Sequence, residues 1–323
     1  MRVEVIGGGA LGLLFAAAAA KGGAEVVLYT RTTEQANKIM DSGIQVNGPT
    51  EKEVWSIGSP AIIAAHAIDR FSEEKGQPRW IVLAVKQKHL DASLIARLQA
   101  NVRAEDRLFC LQNGVGHIER LTEALPEVPV YAAVTTEGAR RLDAAAVLHA
   151  GKGSTLFGRL APAWPKPSAK QEQAEKMLVK ALGLGGLSLA VSNEIEIAMY
   201  RKLLINAVIN PLTALWKIEN GALLEKEERI RFMRAVFDEI MTIYSAAGIE
   251  APMTWWEELL SVCRATAHNR SSMLEDVSRG DRTEAAWISG GVVELANRSG
   301  KQAPVNQTLF YLIEGLNGWT SRI

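Results

Sequence analysis

The chain of 323 residues is long enough for two domains with separate cores, and 48% hydrophobic against 22% charged residues marks a folded globular protein, not a disordered one. Its 36 Lys plus Arg balance 36 Asp plus Glu, which leaves no net charge for nucleic acid or an anionic membrane and points to small-molecule partners. Cys110 and Cys263 stand far apart among apolar neighbours, so buried free thiols are expected, with no disulfide framework and no metal site.

Taken in chain order, the first third alternates short apolar strands with helical stretches. Strands are expected at 3–6, 25–29, 80–85, 107–111 and 130–135, then at 156–158 and 187–191 around a helix at 170–182. This is the pattern of an N-terminal Rossmann-type, doubly wound parallel sheet. The first strand starts at once, without a basic leader, and the apolar run 10–20 is shorter than the ~20 residues needed to span a bilayer. A cytoplasmic protein with no membrane partner is the expectation. The Pro-rich stretch 161–167 reads as a loop.

From residue 193 the strand signals stop. Apolar residues at spacings of three and four predict helices at 194–216, 225–247, 254–267, 271–278 and 283–299. The fold class is therefore α/β, with a nucleotide-binding domain at 1–192 followed by an all-helical domain at 193–323.

Gly7-Gly8-Gly9-Ala10-Leu11-Gly12 follows a strand and opens a helix, the context in which G-x-G-x-x-G binds a dinucleotide. Gly7 permits the turn, Gly9 admits the pyrophosphate, and Gly12 brings the helix onto the sheet, whose N-terminal amides attract the anion. After the second strand, Thr30-Arg31-Thr32 stands where an NAD enzyme carries an acid for the ribose 2′-hydroxyl. Arg31 can clamp a 2′-phosphate and the threonine hydroxyls can add donors, so NADPH is the expected cofactor, although Glu34 nearby weighs the other way.

Lys202, Asn206 and Asn210 recur every fourth residue and so form a polar stripe on an otherwise apolar helix. Such a stripe has reason to face a ligand. When a ketone is reduced, charge develops on its oxygen, and an ammonium nearby can stabilise that oxygen and protonate it. Pro211 disfavours helical geometry at Asn210, and a kink is expected there. Asp281-Arg282-Thr283-Glu284 also reads as a capping box for the last long helix, and Ser271-Ser272 as a helix N-cap.

Several segments together resemble the 2-dehydropantoate 2-reductase (ketopantoate reductase) family: the glycine loop, Ala84-Val85-Lys86, Leu111-Gln112-Asn113-Gly114, the run from Tyr200 through Lys202 and Asn210-Pro211 to Thr213, and Ser271-Ser272-Met273-Leu274 with Thr283-Glu284. The resemblance spans nearly the whole chain. It implies NADPH-dependent reduction of ketopantoate, a 2-oxo acid, to pantoate in pantothenate biosynthesis, in a cleft between a Rossmann and a helical domain, often in a homodimer. It also implies Lys202 as catalytic lysine and Glu284 as the carboxylate that orients it or binds the substrate. Asn113, Asn206, Asn210 and Ser272 would hold substrate, while Lys86 and Asn113 would reach the cofactor. His89 departs from the pattern, standing where the family carries glutamine. A related reductase of another 2-oxo or 3-oxo acid, or a non-catalytic NADPH-binding protein, would share most of these features. Trp255, Trp256 and Trp287 read as core or interface aromatics.

Overall fold

A computed structural model of the chain describes residues 1–50, 53–58, 62–66, 79–160 and 167–316; the expected loop at 161–167 lies outside these except for its last residue. The chain divides into two compact units. One comprises Met1–Gln112 with His117–Glu196, the other Asn113–Gly116 with Ile197–Ile323.

The first unit is built on β1 (Arg2–Ile6), α1 (Ala10–Lys21), β2 (Glu25–Thr30), α2 (Thr33–Ser42), β3 (Ile44–Asn47), β4 (Val54–Ile57), β5 (Ile62–His66) and β6 (Arg79–Leu83). It continues with α3 (Ala92–Asn101), β7 (Arg107–Cys110), α4 (His117–Ala124), β8 (Val130–Thr135), β9 (Gly138–Arg141), β10 (Ala146–Gly151), β11 (Thr155–Gly158), α5 (Ala169–Leu184) and β12 (Leu189–Val191). Eight strands form one sheet in the order β12-β11-β8-β7-β6-β1-β2-β5. All its pairings are parallel except β11 against β8. The central strands are buried on both faces, as Val3, Val5, Ile81, Val82, Leu108 and Phe109 show, which is why they read as continuous apolar runs.

A second sheet, β4-β3-β10-β9, corrects the sequence expectation. Its strands are only four to six residues long, and Gly138-Ala139-Arg140-Arg141 carries almost no apolar signal. Helix α1 packs against strands of both sheets and against α5. That position explains its composition. A helix covered on all sides has no use for a polar face, and Leu13 to Ala19 are fully buried. At the N-terminal edge of the large sheet, Arg79 joins Glu4 and Asp106, both at 3.1 Å, in a buried ion cluster.

The second unit is helical: α6 (Ile195–Trp216, its first two residues in the first unit), α7 (Glu227–Ala246), α8 (Trp255–Ala265), α9 (Ser272–Ser278), α10 (Ser289–Arg298) and α11 (Pro304–Glu314). Its core gathers Leu204, Val208 and Leu212 of α6 with Phe237, Ile240 and Tyr244 of α7, and with Leu259, Cys263 and Ile313. Trp255 is buried in that core, its ring 6.4 Å from Tyr244, and Trp256 packs edge-on to Phe237. Cys110 and Cys263 are buried free thiols.

Two features differ from what the sequence pattern predicts. The helix predicted at 283–299 is broken into a short 3-10 turn at Ala285–Trp287 and α10. At the start of that turn the Glu284 side chain makes no cap bond, and the Thr283 hydroxyl accepts from the Ala285 amide. Helix α11 was not expected; Pro304 at its start sets the backbone angle, and Glu239 of α7 accepts from the Val305 and Asn306 amides to cap it. The helix expected at 194–216 forms as α6 and runs through Pro211, which leaves the Ala207 carbonyl without its helical donor.

Candidate functional site

The candidate groups lie in both units. In the first, the Gly7–Gly12 loop leaves the carboxyl end of β1, with the Gly7 amide bonded to the Tyr29 carbonyl of β2 at 2.9 Å. A Cβ on Gly12 would collide with the Gly7 carbonyl oxygen, so only glycine allows this tight start of α1. A Cβ on Gly9 would meet nothing. Gly9 caps the helix without any side chain, which leaves the first-turn amides of Ala10, Leu11 and Gly12 facing outward without intrahelical partners. Amides so arranged can hold an anion of pyrophosphate type.

Arg31 is exposed and makes no ion pair among the described residues. Thr30 behaves differently from the expectation that its hydroxyl adds a donor for a ligand. It is buried and donates to the Thr32 carbonyl at 2.8 Å, shaping the turn that presents Arg31. The Thr32 hydroxyl accepts from the Gln35 amide and caps α2. Lys86, half-buried, begins a short 3-10 turn that ends at His89. Partial desolvation, and then the charges of Lys88, Arg31 and Lys86, hold the His89 imidazole below its ordinary pKa. His89 thus shares one positive neighbourhood with Arg31 and Lys86, where a phosphate is favoured.

In the second unit, Asn113 donates to the Glu284 carboxylate at 3.2 Å. Glu284 is buried, at the residue preceding the 3-10 turn. Lys202 on α6 has its pKa lowered to about 8 by desolvation, with the Glu284 charge pulling the other way. Ammonium, carboxylate and carboxamide therefore form one group. Asn206 and Asn210 follow on α6 at successive turns, Asn206 half-buried and Asn210 buried.

Ser272 is the exposed first residue of α9, while the cap itself is Ser271, which accepts from the Leu274 amide at 3.1 Å. The Thr213 and Ser271 hydroxyls lie 2.7 Å apart, and Thr213 also reaches back to the Ile209 carbonyl. That link ties the start of α9 to α6 one turn beyond Asn210. Thr213 and Ser271 thus serve the packing of α9 on α6. No hydrogen bond joins the side chains of Asn206 or Ser272 to the other candidate residues among the described residues.

The model of the family described as "Ketopantoate reductase PanE/ApbA" matches residues 3–162, and that of its C-terminal domain matches residues 194–317. A 2-dehydropantoate 2-reductase of Archaeoglobus fulgidus is 30% identical over 98% of this chain and 97% of its own length. That of Bacillus subtilis is 30% identical over the full length of both. The crystal structure of the probable Bacillus subtilis 2-dehydropantoate 2-reductase superposes with a TM-score of 0.79 at 29% identity, covering 98% of this chain and 100% of that one. The fold is also that of a D-mandelate dehydrogenase solved with NADH and anilino(oxo)acetate, at TM-score 0.81 and 22% identity over 98% of both chains. With family models covering most of its length, and relatives aligned from end to end, the chain is an oxidoreductase that belongs to the ketopantoate reductase family.

Proposed function

We propose that the protein reduces the 2-oxo group of ketopantoate to the hydroxyl of pantoate with NADPH, a step of pantothenate biosynthesis, and that Lys202 is its general acid. The observation that carries the reading is the Lys202–Glu284–Asn113 group, in which an ammonium of lowered pKa stands with a buried, hydrogen-bonded carboxylate. The first unit fits the cofactor: the open, side-chain-free cap at Gly9 suits a pyrophosphate, and Lys86 and exposed Arg31 suit phosphate charge. When bound, NADPH supplies the hydride for the ketone carbon.

The chain's own groups do the rest. The Lys202 ammonium stabilises the carbonyl oxygen as charge gathers on it, then gives that oxygen a proton, leaving the secondary alcohol. A pKa near 8 keeps most of the amine protonated at neutral pH while making it a better acid than an ordinary lysine. Glu284 holds the charge on Lys202 and, fixed by Asn113, can accept from a substrate hydroxyl. Asn206, Asn210 and Ser272 supply neutral donors for the substrate carboxylate and hydroxyl. The homodimer and the cytoplasmic setting belong to the same reading.

The test is NADPH oxidation followed at the nicotinamide band with ketopantoate, pyruvate, 2-oxoisovalerate and acetoacetate. The reading expects the highest kcat/KM with ketopantoate. Preference for another acid would overturn the substrate and keep the chemistry; no turnover with any acid would overturn both.

A further inference from the structure

Gln35, in the first turn of α2, is buried beside the glycine loop. Its Nε2 group has two protons, and both are engaged: one bond runs to the Gly8 carbonyl at 2.8 Å, the other to the Ala144 carbonyl, between β9 and β10, also at 2.8 Å. The fit is close, since a Cβ on Gly8 would lie 2.7 Å from this carboxamide. One side chain thus joins α2, the dinucleotide loop and the second sheet.

The consequence follows from peptide geometry. A trans peptide is planar, so the Gly8 carbonyl and the Gly9 N–H lie in one plane and point in opposite directions within it. In a run of three glycines that plane has little intrinsic preference, because glycine accepts both signs of φ. Were the plane to rotate, the Gly8 carbonyl would replace the Gly9 N–H on the side of the open helix cap, and an acceptor would face an anion. We propose that Gln35 is a positioning residue that locks the Gly8–Gly9 peptide with its N–H toward the pyrophosphate.

This rests on the reading of Gly7–Gly12 as the cofactor's pyrophosphate cradle. It differs from the role of Arg31 in a measurable way. The pyrophosphate is common to NADH and NADPH, so Gln35 acts on both dinucleotides alike, whereas Arg31 acts on the 2′-phosphate alone.

The experiment is fluorescence titration of the full chain with NADPH and with NADH, for wild type and for Gln35→Met, which keeps the volume and removes both donors. The expected result is a loss of affinity on the order of tenfold, the scale of one hydrogen bond, equal for the two dinucleotides and with kcat at saturating NADPH near wild type. Gln35→Asn, one methylene short of spanning both carbonyls, gives a smaller equal loss and stands in should the Met variant fail to fold. A folded variant with unchanged affinities, or with a loss confined to NADPH, overturns the role given to Gln35. Wild-type protein that binds neither dinucleotide would overturn the reading of the loop itself.

Discussion

The two units make their candidate sites from different material. In the first, the candidate anion cradle is backbone: amides at the start of α1, a turn possible only because Gly12 lacks a Cβ, and one side chain, Gln35, gripping a carbonyl. In the second, the candidate groups are side chains drawn from separate stretches, Asn113 after β7, Lys202 on α6 and Glu284 before α10. A backbone site tolerates changes of side chain but not of backbone shape, and it recognises what all dinucleotides share. A side-chain site can tune a proton, as desolvation and Glu284 tune Lys202 in opposite directions.

That division is open to breakage by substitution. The largest effect is expected from Lys202→Ala, which should lower kcat by ~10²–10⁴-fold, the usual worth of a general acid, while the affinity for NADPH stays near wild type. Steady-state kinetics beside a cofactor titration separate the two; weaker NADPH binding would mean that the side-chain site also serves the dinucleotide. Next is Arg31→Ala. Loss of a charge-assisted clamp should raise the KM for NADPH by about 10–100-fold and leave that for NADH unchanged. Equal efficiency of wild type with both cofactors would remove the clamp. The smallest is Ser271→Ala, which loses a helix cap and the Thr213 contact and should cost about 1 kcal/mol of stability in a denaturant melt. If Ser271 also sets the start of α9 for the substrate, KM for ketopantoate rises while NADPH affinity does not.

The contrast also explains what could be read from the sequence. The glycine loop was legible because a backbone site needs contiguous residues, and the Lys202-Asn206-Asn210 stripe because helical periodicity gathers it. The pairing of Asn113 with Glu284, 171 positions apart, has no local pattern; only the family resemblance pointed to both. Local periodicity misled at 283–299, where the single expected helix is a short 3-10 turn followed by α10, with Glu284 buried beside Asn113 just before the turn. The helix expected through Pro211 does form, because the packing of Leu204, Val208 and Leu212 in the core outweighs one lost backbone bond. The second sheet escaped notice for want of length. Its strands pair across the chain, β3 with β10, and draw their burial from α1, which no window of four residues contains.

The central claim, that Lys202 donates the proton under the influence of Glu284, is tested most directly by the pH profile of kcat/KM, which reports the free enzyme. Only the ammonium form of Lys202 can act as the acid, so the rate should be retained at neutral pH and fall as the pH rises through about 8. Glu284 raises the lysine pKa against desolvation. Glu284→Gln should therefore move the alkaline limb to lower pH, in addition to any loss of rate. A limb that stays in place in Glu284→Gln, or that persists at the same pH in Lys202→Ala, would contradict the account.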